Sequence, residues 1–203
     1  LKYGVTTNHV LALTVVLPSG EVRTFGSPAL DPPGYDLVGL FVGSEGTLGI
    51  ATEMTLRLRP LPESVQIVLA IFDTLEAAGQ AVSRIIAARM VPAALEILDR
   101  ATIQAVEASF PSRLPTDVEA ILLIELSGLK EALDSQAERC SAICHELRAR
   151  RVEIGRTPEE RERLWSARRS AFGATARLSP TMVVNDATVP RTRIPEVLRR
   201  MQE

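Results

Sequence analysis

The sequence lacks any apolar run long enough to cross a membrane. Its strongly apolar stretches are short, such as Ala120 to Ile124, whereas a membrane-spanning helix needs roughly 20 residues. It also lacks a basic block and any long run of like charge, and its formal net charge is −2. These absences exclude a membrane span and argue against nucleic acid as a partner and against a charged tail.

Cysteine is scarce as well, because the 203 residues contain only Cys140 and Cys144. Residues four apart on one helix face rarely reach disulfide geometry. A metal site would need more ligands than the neighbouring His145 supplies. We therefore expect two small buried side chains in a protein of a reducing compartment, the cytoplasm.

The chain begins Leu1-Lys2-Tyr3-Gly4, with no initiator Met and no apolar targeting region. This opening predicts an internal piece of a longer gene product. The composition, 46% hydrophobic and 24% charged, is that of an ordinary globular protein.

The first 60 residues are predicted to be mostly strand. A buried strand over 9–17 returns after a turn as a second strand over 21–25, which makes a hairpin. A short helix follows from Asp36 to Phe41, with Asp36 as its N-cap. Residues 50–58 alternate between apolar and polar, which predicts a half-buried strand. This segment is too short to close a core alone.

Pro60-Leu61-Pro62 breaks the pattern and is the predicted domain boundary. After it, strands and helices alternate, and the stretch 118–126 is apolar on both faces, as in a central strand. The simplest packing is an antiparallel sheet with helices on one face, an α+β fold of ferredoxin-like type. The other predicted strands are 65–72, 94–98, 152–155 and 182–189, and the predicted helices are 75–90, 100–109, 129–150, 157–177 and 195–200.

The two clearest helices of this region carry apolar stripes at helical spacing. Their members are Leu75, Ala78, Val82, Ile85 and Arg89 in the first helix and Leu129, Leu133, Ala137, Cys140, Cys144 and Leu147 in the second.

Four of the 12 glycines fall between positions 39 and 49. Such spacing lets the backbone approach an anionic or aromatic ligand closely. The segment is neither a phosphate-binding P-loop nor a common dinucleotide fingerprint, because no Gly-Lys-Ser/Thr is present and a helix precedes it. From the residues alone, a tight helix-to-strand turn is the favoured interpretation, and the ligand-binding one stays open.

The run Gly34-Tyr35-Asp36-Leu37 and the run Leu40 to Ile50 together resemble a signature of the FAD-linked oxidases with a vanillyl-alcohol-oxidase type of flavin domain. Within that family the chain is most similar to the glycolate oxidase flavoprotein subunit and the D-lactate dehydrogenases. Supporting matches are Lys2-Tyr3-Gly4, Glu96-Ile97-Leu98-Asp99, Trp165-Ser166-Ala167-Arg168 and Asn185-Asp186-Ala187-Thr188-Val189-Pro190.

The resemblance implies that residues 1–60 are the later part of an FAD-binding domain. Residues 61–203 would then be most of a ferredoxin-like substrate cap. It also implies FAD as the cofactor, with its pyrophosphate-binding loop before residue 1. The implied cofactor-binding residues are Glu45, Gly46, Gly49 and Ile50, and more weakly Tyr3 and Gly4.

In this family the histidines that bind metal and supply the base belong to a His-x-Gly-Asp-Gly motif, which would lie beyond residue 203. Neither His9 nor His145 matches that motif. We therefore expect no catalytic base in this chain. Any divalent metal of the full enzyme would have its ligands elsewhere.

Trp165, Arg168 and Phe172 share one face of a predicted helix. An arginine between two aromatics is either a surface residue lying over them or a clamp for an anion. The resemblance implies that Arg168 binds the substrate carboxylate by a two-pronged contact. For Asn185 and Asp186, at the tip of the last predicted strand, a structural role is favoured.

The implied reaction is oxidation of a 2-hydroxy acid, such as glycolate or D-lactate, to the 2-oxo acid by hydride transfer to FAD. The electron acceptor is not identified, and other oxidase subunits are candidate partners. Without its missing parts the chain alone is expected to be inactive. Two alternatives remain: a non-enzymatic α+β module for ligand sensing or dimerisation, and a relative acting on aromatic alcohols or sugars.

Overall fold

The structure is a computed structural model that describes residues 2–29 and 33–202. It divides into two compact units, and the division falls between Leu61 and Pro62. The first unit comprises residues 3–61, and the second comprises residue 2 together with the chain from Pro62 onward. The assignment of these units to a flavin domain and a substrate cap stays a prediction.

The first unit is a three-stranded antiparallel sheet of order β2-β1-β3 with one short helix. The Leu17 N–H donates to Glu21 O at 2.9 Å, and this bond closes the predicted hairpin. The Asp36 carboxylate accepts from Gly39 N at 2.8 Å and caps the helix, as predicted. The elements are β1 (Val10–Val16), β2 (Val22–Gly26), α1 (Leu37–Phe41) and β3 (Ile50–Leu56).

The prediction that the third strand is half-buried is wrong, because every residue of β3 is exposed. Ile50 is 68% and Met54 58% exposed. The cause is the position of α1, which packs on β1 and β2 and leaves β3 uncovered. The core of this unit is correspondingly small, with Leu13, Val15 and Val38 at its centre.

The second unit contains a four-stranded, wholly antiparallel sheet of order β5-β6-β4-β7. This is the strand order of a ferredoxin-like fold, with one additional helix inserted between β5 and β6. The elements are β4 (Ser64–Phe72), α2 (Leu75–Ala87), β5 (Ala94–Asp99), α3 (Arg100–Ser109), β6 (Ala120–Gly128), α4 (Lys130–Glu146), β7 (Arg151–Gly155), α5 (Pro158–Thr175) and α6 (Ile194–Gln202).

Helices cover both faces of this sheet, so the prediction of helices on one face is wrong. On one face α2 and α4 pack on the even-numbered residues of β4, such as Val68 and Phe72. On the other, α5 packs on the odd-numbered residues of β4, such as Ile67 and Leu69, and α3 packs beside it on β5 and β6. The physical reason is that β4 and β6 are apolar on both sides, and each side needs its own cover.

No strand forms over the predicted stretch 182–189, which is irregular and largely exposed. Among the described residues, no strand pairs with it. Val183 and Val184, which suggested a strand, are both exposed. A β-branched pair without a partner strand cannot form a sheet by itself.

Two helices are shorter than predicted. α2 ends at Ala87, and Arg89 adopts a left-handed backbone with φ of 61° and points to solvent instead of joining the apolar stripe. α4 begins at Lys130, after an exposed Leu129, and Arg148 ends it in the same left-handed conformation. Because glycine normally marks such an end, an arginine there gave no signal in the sequence.

The two cysteines are buried and unpaired on α4, as expected. Burial raises the pKa of the Cys140 thiol to about 11 and that of Cys144 to about 12. Among the described residues, no helix combines the length and the apolar character that a membrane crossing requires.

Candidate functional site

Helix α5 carries the arginine singled out in the sequence, and a capping box fixes where this helix begins. Thr157 Oγ1 accepts from Glu160 N at 3.2 Å, and Glu160 Oε2 accepts from Thr157 N at 3.1 Å. The Thr157 N–H and the Arg156 N–H, which both donate to this carboxylate, hold the pKa of the Glu160 carboxyl below its usual value. The start of α5, and hence the position of each side chain along it, is set by this local chemistry.

α5 lies across one face of the sheet and reaches three of its strands with polar contacts. Arg163 Nη2 lies 3.3 Å from Glu153 on β7. The Trp165 indole N–H donates to Glu125 on β6 at 2.7 Å. The third contact joins Arg168 to β5. The helix is thereby oriented on the sheet by side chains as well as by its buried residues, which are Leu164, Ala167, Ala171 and Ala174.

Arg168 Nε donates to Glu96 Oε2 at 2.7 Å. Glu96 stands opposite Leu123 in the β5–β6 pairing, so its side chain faces α5. The Arg168 side chain is 40% and that of Glu96 33% exposed, so the pair lies at the rim of the packed face. Across the ranges 2–29 and 33–202, no hydrogen bond from Nη1 or Nη2 of Arg168 is found. Two terminal N–H groups in a fixed plane can receive a carboxylate.

The other residues noted near Arg168 are placed differently. Phe172, one turn further along α5, is 63% exposed. Asn185 and Asp186 lie in the exposed irregular segment. In the part of the chain that is described, no three His, Cys, Asp or Glu side chains are grouped so that they could hold a metal ion.

In the first unit, the glycine segment forms a tight exposed connection from α1 to β3. Ser44 N donates to Phe41 O, and Thr47 N donates to Ser44 O at 3.0 Å. Glu45 has a positive φ of 51° and Gly46 one of 79°. The segment is therefore both the tight turn and an exposed stretch of main chain.

Gly46 and Gly49 differ in what surrounds them. A Cβ at Gly49 would stand 2.8 Å from Val16 O, so this glycine is required for the close approach to β1. A Cβ at Gly46 would meet nothing within 4 Å. The main chain at Gly46 is thus open to a flat or anionic ligand, and a flavin fits this observation.

The remaining two candidate residues lie at the other end of the first unit. Gly4 has a φ of +84°. The Tyr3 carbonyl oxygen is 2.9 Å from His9 Nε2. The Arg59 guanidinium lies 6.0 Å from the centre of the Tyr3 ring. The roles of Tyr3, Gly4, Glu45, Gly46, Gly49, Ile50 and Arg168 stay predictions.

Glu96 and Glu125 were not assigned a role from the sequence, although both contact α5. A signal for Glu125 existed, because it is the one charged residue of β6. A carboxylate on a central strand requires a donor nearby. Glu96 appeared only as part of a matching motif, and its partner lies 72 positions along the chain.

Residues 61–203 match the family described as FAD linked oxidases, C-terminal domain. The chain is 47% identical over 204 residues to the glycolate oxidase subunit GlcD of Bacillus subtilis (strain 168), an alignment that covers 100% of it. It is 32% identical over 206 residues to a D-lactate dehydrogenase of Anaerostipes hadrus, with 98% of the chain covered. In each case the chain spans 43% of the relative's length.

Among solved structures, an alkyldihydroxyacetonephosphate synthase resembles the chain with a TM-score of 0.65 and 21% identity. The likeness covers 87% of this chain and 35% of that one. At this identity it supports a statement about the fold alone. The predicted α+β class with antiparallel sheets is confirmed.

Proposed function

Since the chain belongs to the family of FAD-linked oxidases, we propose that it forms part of an enzyme that oxidises a 2-hydroxy acid to the 2-oxo acid. The names of two relatives support this substrate class, because glycolate and D-lactate are both 2-hydroxy acids. The observation that carries the proposal is the Arg168 guanidinium, held at Nε with no hydrogen bond from its terminal nitrogens among the described residues.

In this proposal Arg168 binds the substrate carboxylate and orients the α-carbon. A two-pronged contact fixes direction as well as distance, which a single ammonium does not. FAD, when bound, supplies the redox chemistry by accepting the hydride. The hydroxyl proton goes to a base that we do not assign to this chain.

The first unit would contribute to the flavin site. The open main chain at Gly46 and the exposed side chains of Glu45 and Ile50 support this assignment. Gly49 would act indirectly, by holding the turn against β1. Tyr3 and Gly4 are proposed to lie at the margin of the same cofactor.

Replacement of Arg168 by lysine, in the complete flavoprotein that contains this sequence, tests the proposal. Lysine keeps the charge but loses the fork. Loss of one charge-assisted contact should cost about 1.5–3 kcal/mol, which corresponds to a KM for glycolate or D-lactate that rises roughly 10- to 150-fold. Arg169→Lys is the matched control, because Arg169 contacts Glu162 on the same helix.

Unchanged KM values in Arg168→Lys and Arg168→Ala would contradict the role of this residue. A wild-type protein that contains FAD but oxidises no 2-hydroxy acid would contradict the substrate class. If the complete flavoprotein, freed of its flavin, did not bind FAD in a titration, the assignment of FAD as the cofactor would be contradicted.

A further inference from the structure

We propose that Glu96 is a positioning residue that holds the Arg168 guanidinium by its Nε side and turns its outer edge toward the substrate carboxylate. The proposal rests on the function proposed for Arg168. It assigns a task to Glu96, the first residue of the motif Glu96-Ile97-Leu98-Asp99.

The strand that carries Glu96 is firmly held. Leu98, two residues on, is 4% exposed and belongs to the core under α3 and α5. Asp99, at the end of the strand, accepts from Thr102 N at 2.9 Å and caps α3. Glu96 therefore projects from a fixed backbone.

The contact geometry leaves a defined part of the arginine available. A guanidinium has five N–H donors and two edges on which a carboxylate can accept two parallel bonds, one formed by Nε and one terminal nitrogen and the other by Nη1 and Nη2. Glu96 Oε2 accepts from Nε at 2.7 Å. A second carboxylate can then bind in the guanidinium plane only at the outer pair, Nη1 and Nη2. Glu96 thus sets the direction from which the substrate arrives.

Two other roles for Glu96 predict different results. If it only fastened α5 to the sheet, its loss would lower stability and leave ligand binding unchanged. If it acted only through its negative charge, its removal would strengthen binding of an anion, because one repulsion would vanish. Positioning alone predicts that binding weakens when the acceptor oxygen is lost and survives when that oxygen is kept.

The chain supplies a matched control in the ion pair between Arg163 and Glu153. Like the pair of Arg168 and Glu96, this ion pair joins an arginine of α5 to a glutamate of an edge strand on the same face of the sheet. The side chains of Arg163 and Glu153 are 38% and 27% exposed. Glu153→Ala therefore reproduces the loss of a fastening contact without touching Arg168.

The experiment uses the complete flavoprotein and compares Glu96→Ala, Glu96→Gln, Glu153→Ala and Arg168→Lys. Oxalate, a non-reacting dicarboxylate, is titrated calorimetrically, and KM and kcat are measured with glycolate. We expect Glu96→Ala to weaken oxalate binding and raise KM roughly 10-fold. We expect Glu96→Gln, which keeps an acceptor oxygen, to remain within about 3-fold of wild type, and Glu153→Ala to match wild type.

Wild-type oxalate affinity in Glu96→Ala, with KM raised in Arg168→Lys, would overturn the positioning role and leave the proposed function intact. An equal loss in Glu96→Gln and Glu96→Ala would show that the acceptor oxygen does not carry the effect, and tighter oxalate binding in both would assign it to the negative charge. A loss in Glu153→Ala equal to that in Glu96→Ala would assign the effect to the seating of α5. Each of these results overturns the proposal. Unchanged KM in Arg168→Lys would overturn both it and the function on which it rests.

Discussion

Each glutamate that faces α5 from the sheet has a donor on that helix. Glu153 has Arg163, Glu125 has the indole of Trp165, and Glu96 has Arg168. The sequence indicated the helix face and the arginine, because Trp165 and Arg168 stand three positions apart. It could not indicate the carboxylates, since pairs so distant along the chain form only when the sheet is assembled.

The two thiols of α4 are expected to be unreactive in the folded protein. Because the thiolate is the reactive species and burial raises both pKa values, native protein at pH about 8 should resist iodoacetamide, whereas denatured protein should be alkylated at Cys140 and Cys144. Mass spectrometry of the labelled protein checks this. Rapid alkylation of either thiol without denaturant would contradict the burial.

The same shifts predict a pH dependence of stability. The pKa of a thiol in the unfolded chain is the ordinary one of about 9.0, whereas burial raises the pKa of the folded thiols to about 11 and about 12. The contribution of these groups to the free energy of unfolding is fully present below about pH 9 and is lost as the pH rises toward about 11. Urea midpoints across that window should fall more steeply in wild type than in the Cys140→Ala/Cys144→Ala variant.

At the scale of elements, the helix starts were predicted well and the helix ends poorly. Asp36, Thr74 and Thr157 mark starts by their side chains, and each makes a capping bond, which was predicted for Asp36. The ends of α2 and α4 are set by Arg89 and Arg148 in left-handed conformations. An arginine carries no such signal in a sequence, so both helices were extended too far.

Thr157→Ala should destabilise α5, because it removes the oxygen that accepts from Glu160 N. The expected cost is about 1 kcal/mol of unfolding free energy. Trp165 is the one tryptophan of the chain and lies in α5, so its fluorescence during urea unfolding reports on this helix. Thr175→Ala is the control, because its hydroxyl donates to carbonyls within the helix, and it should change stability by less than about 0.5 kcal/mol.

Acid should weaken the same cap. The Glu160 carboxylate, whose pKa is lowered by the backbone donors of Thr157 and Arg156, contributes stability above the usual glutamate pKa and loses it as pH falls through the lowered value. A cap contribution that grew on acidification would contradict this arrangement.

At the scale of the whole molecule, the alternation of strands and helices in the sequence predicted the ferredoxin-like sheet. It did not predict that helices cover both faces of that sheet. The stretch 118–126 was already recognised as apolar on both faces, which requires helices on both sides of the sheet. α3 and α5 were predicted as helices, yet apolar stripes were traced only on the helices 75–90 and 129–150, so α3 and α5 were not placed on the second face. The irregular stretch 182–189 shows the converse, because its apolar residues have no partner strand.

The two units should differ in local stability. The second unit has a core on each face of its sheet, whereas the first has a single small one. Amide hydrogen exchange should therefore be slowest in β4 and β6 and clearly faster in β3, whose residues are all exposed. Equal protection of β3 and β4 would contradict this expectation.

The position of β4 in the sheet has a consequence for how the protein folds during its synthesis on the ribosome. β4 is the first strand of its unit to leave the ribosome, yet its neighbours are β6 and β7, and it cannot pair with both until Gly155 has been added. At about 5–20 residues per second, that wait lasts on the order of 5–20 s. α2 can shelter one side of β4 early, but the other side, with Ile67 and Leu69, stays uncovered until α5 is made. A newly synthesised chain therefore exposes an apolar strand to which a chaperone can bind, and slower translation would lengthen that exposure.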